Sequence, residues 1–265
     1  MVARMRPHVA PPGRLVVLAA VVAAGLALSL VTTPPLLWVL AAVVILVACI
    51  GSDQLIHAHW RQHRRARRRY DITLWIFPAL IVAGGFLVLR LPFFASAAVV
   101  VVGIVVATLL FGGVVVCQLH SLSSDDPHYA LARFVLTLLA YLSAFGIYSA
   151  IYAPRVRSLY SATAIIVVTF LICLEIFRGH QVNGRRAALY AGILGLVVGE
   201  MTWALNYWLV SPLAGGLLML VVLYLAAGIV QSHMTGELTA RTLVEFGSVA
   251  AAAVALVLGV GFFAQ

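Results

Sequence analysis

The chain has 265 residues, of which 64% are hydrophobic and only 9% charged, with a mean hydropathy of +1.10. A water-soluble domain carries about 25% charged residues to cover its surface, so a soluble globule is excluded and the solvent is a bilayer. The balance is basic, 17 Lys plus Arg against 8 Asp plus Glu, and every basic residue is Arg.

Crossing about 30 Å of hydrocarbon takes roughly 20 apolar residues at about 1.5 Å each. In chain order the candidate runs lie at approximately 15–33, 35–57, 71–90, 92–119, 130–153, 158–177, 187–208, 212–232 and 240–263. They are continuously apolar and lack the alternation of a barrel strand, which predicts helices. The expected fold is therefore all-α, one polytopic transmembrane bundle over 1–265 with about nine spans. Arg4, Arg6 and Arg14 ahead of the first run imitate a signal peptide. The run is long, no A-x-A site follows it, and Thr32-Thr33-Pro34-Pro35 looks like a tight turn into the next span, so a retained helix is expected.

Sidedness follows from the arginines. With the amino terminus in the cytoplasm, one side collects Arg4, Arg6, Arg14, the arginines between Arg61 and Arg69, Arg133, Arg178, Arg185, Arg186 and Arg241, whereas the other keeps Arg90, Arg155 and Arg157. The positive-inside bias then sets the amino terminus inside and the carboxyl terminus outside, in a bacterial-type plasma (inner) membrane. All the histidines and every carboxylate except Glu200 fall on the inner side of that arrangement.

Proline and glycine mark the turns and the helix contacts. Pro35, Pro92, Pro154 and Pro212 recur at spacings of 57, 62 and 58 residues, each at or next to a returning helix. Pro78 falls within the third run, where it should kink the helix or free a carbonyl. Gly84-Gly85, Gly112-Gly113, Gly192 with Gly195 and Gly199, and Gly215-Gly216 permit close backbone approach. The Gly195-x-x-x-Gly199 match suits packing within the bundle as readily as dimerisation.

Three groups of polar residues are candidates for chemistry. A cytoplasmic-face cluster comprises Asp53, His57, His59, His63, Glu237, Arg241 and Glu245. On a helix Asp53 and His57, and His59 and His63, lie one turn apart. His57, His59 and His63 form a weak candidate metal set, against which stands their simple solvation at an interface; no H-E-x-x-H is present, and no metal or cofactor is expected. Arg61, Arg64, Arg65, Arg67, Arg68 and Arg69 are expected to bind anionic phospholipid headgroups, at about 1 kcal/mol per residue near the surface, or to act only as a topology anchor. Nucleic acid is not an expected partner, since no soluble module accompanies the tract.

The third group is intramembrane. Counting from Arg186 puts Glu200 roughly 21 Å into the bilayer, with Trp203 at i+3 and Asn206 beyond it. An ionisable side chain at that depth is costly and by default a functional hypothesis; its structural alternative is an ion pair with Arg90, Arg155 or Arg157. Glu175 and Arg178, three residues apart, are expected to pair at an interface. Cys49, Cys117 and Cys173 form no C-x-x-C and are assigned no redox role.

Three functions fit these residues. The favoured one is non-enzymatic, with no catalytic residue assigned: an assembly partner or complex subunit that contacts a membrane protein partner or a second copy of itself. The alternatives are a proton-coupled or lipid/small-molecule transporter using Glu200, and an enzyme acting on a phosphorylated lipid at the cytoplasmic face.

Overall fold

The structure is a computed structural model and describes residues 12–62, 72–122, 126–154, 158–178, 184–208, 210–236, 239, 244–252, 254 and 255. Among these residues there is no strand. In chain order the helices are α1 (Pro12–Leu28), α2 (Pro34–Gln62), α3 (Ile76–Val88), α4 (Ala97–His120), α5 (Tyr129–Tyr152), α6 (Ser158–Arg178), α7 (Gly184–Asn206) and α8 (Pro212–Thr235). Short 3-10 turns at Ile72–Trp75 and Pro92–Phe94 precede α3 and α4, and residues 244–252 are again helical. Among the described residues six helices are long and apolar enough to cross a membrane: α2 and α4 to α8. α1 and α3 are shorter apolar helices. The chain is therefore a membrane-embedded helical protein.

Two compact units divide the chain. The first joins residues 1–86 to 96–136, and the second joins 87–95 to 137–265, so that α5 contributes to both.

In the first unit α1 packs on α2 and α4, and the sequence sets the element boundaries. Pro34 and Pro35 open α2 at positions where a missing N–H costs nothing. Ser96 caps α4 by accepting a hydrogen bond from the Val99 amide at 3.4 Å. The third span differs from expectation: instead of one run over 71–90 there is a 3-10 turn followed by a 13-residue α3. Pro78 is accordingly not a mid-helix kink but lies in the first turn of α3. Its ring nitrogen has no hydrogen to give the carbonyl of Leu74 four residues earlier. That carbonyl is met instead by Gln118 of α4, whose Nε2 donates to it at 2.9 Å with the glutamine fully buried. Ile56, Leu74, Leu119 and Leu122 pack in a cluster at the same place.

In the second unit α7 runs along α6 and also packs on α8. Its buried residues include Ala187, Ala191, Leu194, Gly195, Val198, Thr202 and Leu205, a repeat of three and four that puts one face on the neighbours. A Cβ at Gly195 would lie 2.9 Å from the carbonyl oxygen of Ile166, and one at Gly199 would run into the Ile166 side chain. The G-x-x-x-G therefore serves the α6–α7 seam within the chain. Gly215 and Gly216 admit Tyr152 and Ser149 of α5 against α8 in the same way. By contrast Gly112, Gly113 and Gly192 have nothing within 4 Å of the added atom, so those glycines permit close approach without using it.

Buried hydroxyls complete the second unit. Tyr148 and Thr169 share a hydrogen bond at 2.7 Å between α5 and α6. Tyr152 donates to the carbonyl of Leu205 at 2.7 Å and lies 3.2 Å from that of Trp208, at the end of α7 where helix carbonyls lack intrahelical partners. Ser211 caps α8, and Gly236 ends it with φ +74°, a left-handed conformation suited to glycine.

Two stability outcomes follow. Gly195→Ala should destabilise the protein by about 1–3 kcal/mol through overpacking against a carbonyl that has no rotamer to yield, whereas Gly192→Ala should change it by less than about 0.5 kcal/mol; unfolding in detergent followed by circular dichroism distinguishes them. Gln118→Leu, which leaves the Leu74 carbonyl without its donor, should cost about 1–3 kcal/mol in the same assay.

Candidate functional site

The polar residues gather at the α4–α5 connection and along one face of α7. His120 is the last residue of α4, and the helix is closed behind it by the Ser121 amide, which donates to Cys117 O at 2.9 Å and Gln118 O at 3.1 Å. The Ser121 hydroxyl adds a bond to Gln118 O at 2.9 Å. Gln118, held by Leu74, therefore fixes the turn on which the His120 ring is mounted. Six residues on, Asp126 turns back on the chain: its Oδ1 accepts from the His128 amide at 2.8 Å, an Asx-type contact, and its Oδ2 lies 2.8 Å from His120 Nδ1. Asp126 Oδ1 is also 3.5 Å from His128 Nδ1, and the two imidazoles face each other edge to face with centroids 5.5 Å apart.

Partial burial raises the Asp126 carboxyl, but the hydrogen bonds from His120 and the His128 amide, together with the positive charge of the two imidazoles when protonated, outweigh it and hold the group below its ordinary value. His120 and Asp126 are half-buried and His128 is exposed. One ligand atom from each of the three residues lies within 4.8 Å of the others.

The candidates drawn from sequence periodicity have other positions. Asp53 and His57 are half-buried and lie one turn apart on α2. His59 and Arg61 belong to α2, but their side chains lie outside the described residues, as do the whole of His63, Arg64, Arg65, Arg67, Arg68 and Arg69. Glu237 and Arg241 lie outside them as well, while Glu245 is exposed in the helical stretch 244–252. Of the expected His57, His59 and His63 set only the His57 side chain lies among the described residues, so the set as a whole falls outside them. It does pair Glu175 with Arg178, Oε1 to Nη2 at 2.7 Å, with both side chains largely buried. A groove of about 480 Å³ between α1 and α2 joins apolar walls, Val17, Leu18 and Val47 among them, to the polar ends of Arg14 and Gln54.

Glu200 is exposed on the face of α7 opposite the α6 seam, and Trp203 is 51% exposed beside it. Asn206 is half-buried, and its Nδ2 has no hydrogen-bond partner among the described residues. Glu200 forms no ion pair among the described residues; Arg155 and Arg157 lie outside them.

Residues 14–260 match the model of DUF5656, described as a protein of unknown function, and the chain belongs to that family. No curated protein and no solved structure matches it.

At neutral pH Asp126→Ala should speed hydrogen exchange at the His128 amide about tenfold, the effect of losing roughly 1.4 kcal/mol of protection. Asp126→Asn, which keeps an oxygen for that amide, should retain most of the protection. Exchange read by mass spectrometry separates the two roles of the side chain, turn former and charge.

Proposed function

We propose that the chain is a non-enzymatic component of the bacterial-type inner membrane, with nine spans, the amino terminus in the cytoplasm and the carboxyl terminus outside. In this role the exposed face of α7 packs against a transmembrane helix of a different membrane protein. The observation that carries this reading is the position of Glu200: it projects from α7 six residues before the helix ends at Asn206, on the side away from α6. A charged carboxylate facing lipid is costly, up to about 2.5–3.5 kcal/mol at the helix centre on insertion scales. A cation or hydrogen-bond donor on a neighbouring helix removes that cost, and such partners are the usual companions of ionisable groups in membrane interiors. Trp203 supplies a broad apolar contact on the same face.

Anionic phospholipids are the second partner class. The arginines from Arg61 to Arg69 are suited to bind headgroups on the cytoplasmic side, and the Arg14 end of the α1–α2 groove offers a phosphate contact beside a wall fit for an acyl chain.

A photo-crosslinking amino acid at position 196 or 203, on the exposed face of α7, should give a discrete adduct with another membrane protein in intact cells. Position 198, on the buried face, should not. Glu200→Leu should reduce the adduct about fivefold, matching the roughly 1 kcal/mol measured for polar contacts between membrane helices. Lipid adducts alone, or adducts only with a second copy, would overturn the proposed partner. Proton-coupled flux in proteoliposomes that is abolished by Glu200→Gln would establish the carrier in its place.

A further inference from the structure

We infer that His120, Asp126 and His128 form a binding site for a divalent transition metal of the zinc type, open to solvent on one side. Two imidazoles and a carboxylate are a donor set suited to zinc and its borderline neighbours, and three protein ligands leave a fourth position for water or another small ligand. In a tetrahedral site the ligand atoms lie about 3.3–3.5 Å apart, given metal–ligand distances of about 2.0–2.2 Å. One ligand atom from each of the three residues lies within 4.8 Å of the others, and the two Asp126 oxygens reach one imidazole each, Oδ2 at 2.8 Å from His120 Nδ1 and Oδ1 at 3.5 Å from His128 Nδ1. Side-chain rotation suffices to close the remainder, because the backbone is set.

That setting is the second support. His120 stands at a capped helix end tied to Leu74 through Gln118, and Asp126 is held by the His128 amide, so the carboxylate is aimed before any ion arrives. Two neutral imidazoles and one carboxylate also leave the bound ion with a net positive charge of one, without the crowding of anions that would favour a hard, oxygen-only cation such as calcium. When the ion enters, it occupies the space of the hydrogen now shared by His120 Nδ1 and Asp126 Oδ2. The neutral imidazole then carries its hydrogen on Nε2. Exposure of His128 gives an entry path and puts the open coordination position toward solvent. The site is independent of the proposed contact at Glu200.

Zinc alone is the probe. Full-length protein in detergent, stripped with chelator, should bind one Zn²⁺ per chain by calorimetry, and Co²⁺ in its place should show the absorption of a four-coordinate ion. His120→Ala and Asp126→Asn should each weaken binding more than about tenfold, the lower limit for loss of even an outer-shell partner. His128→Cys, at an exposed position that tolerates substitution, should keep the ion and add a thiolate-to-cobalt charge-transfer band. That gain of signal does not depend on how the other variants fold. The triple replacement of His57, His59 and His63 by Ala should leave stoichiometry and affinity unchanged. Absence of stoichiometric binding, unchanged binding in His120→Ala, or loss of the ion in the triple variant would overturn the inference.

Discussion

In hydrocarbon a backbone carbonyl that loses its helical partner has no water to turn to, and the polar side chains inside this protein are arranged around that fact. Pro78 withholds a hydrogen from Leu74 O, and Gln118 provides one from α4. At the end of α7 the Tyr152 hydroxyl adds a bond from α5 to the Leu205 carbonyl, which also accepts from the Trp208 amide at 3.0 Å. Ser149 and Thr202 return their hydroxyls to carbonyls four residues back and so bring no unsatisfied donor into the interior. With so few polar side chains in the spans, their positions are where the helices are fastened to one another.

The lengths and order of most helices were legible in the sequence because a membrane span is written as an unbroken apolar run. α5, α6 and α8 fall within a few residues of the runs that predict them, and the turn ahead of α2 falls at its proline pair. The third span was not, since hydropathy cannot tell a 3-10 turn from the α-helix that continues it, and the Gln118 bond that makes this break tolerable comes from 44 residues away. Hydropathy is equally silent about which side of an apolar helix faces protein. α4 is apolar all round, so nothing in its sequence marks Phe111, Val114 and Val115 as its buried face. Gly195 and Gly192 are indistinguishable by residue type, yet only the first meets a neighbouring carbonyl.

The polar sites show the same limit in sharper form. His57, His59 and His63 draw attention by their helical spacing, a pattern visible in one dimension. His120, Asp126 and His128 share no period: one ends a helix, one sits in a turn and one precedes the next helix. Their meeting depends on an Asx-type contact and a helix cap that act through the backbone. The available signal was the Asp126-Pro127-His128 turn following a histidine at a helix end, which becomes informative only once the helix boundary is known. Glu200 was conspicuous from composition, but its direction was not, because the face of α7 is chosen by the small residues opposite it.

The seam between α6 and α7 also limits how the protein can move. With the Ile166 carbonyl lodged against Gly195 and the Ile166 side chain against Gly199, α7 cannot roll about its own axis or slide along its neighbour without first separating from it. The two helices form one mechanical element. Any motion that carried Glu200 from one environment to another would have to carry α6 along with it, Glu175 and Arg178 included, so the load on such a step is two helices rather than one side chain.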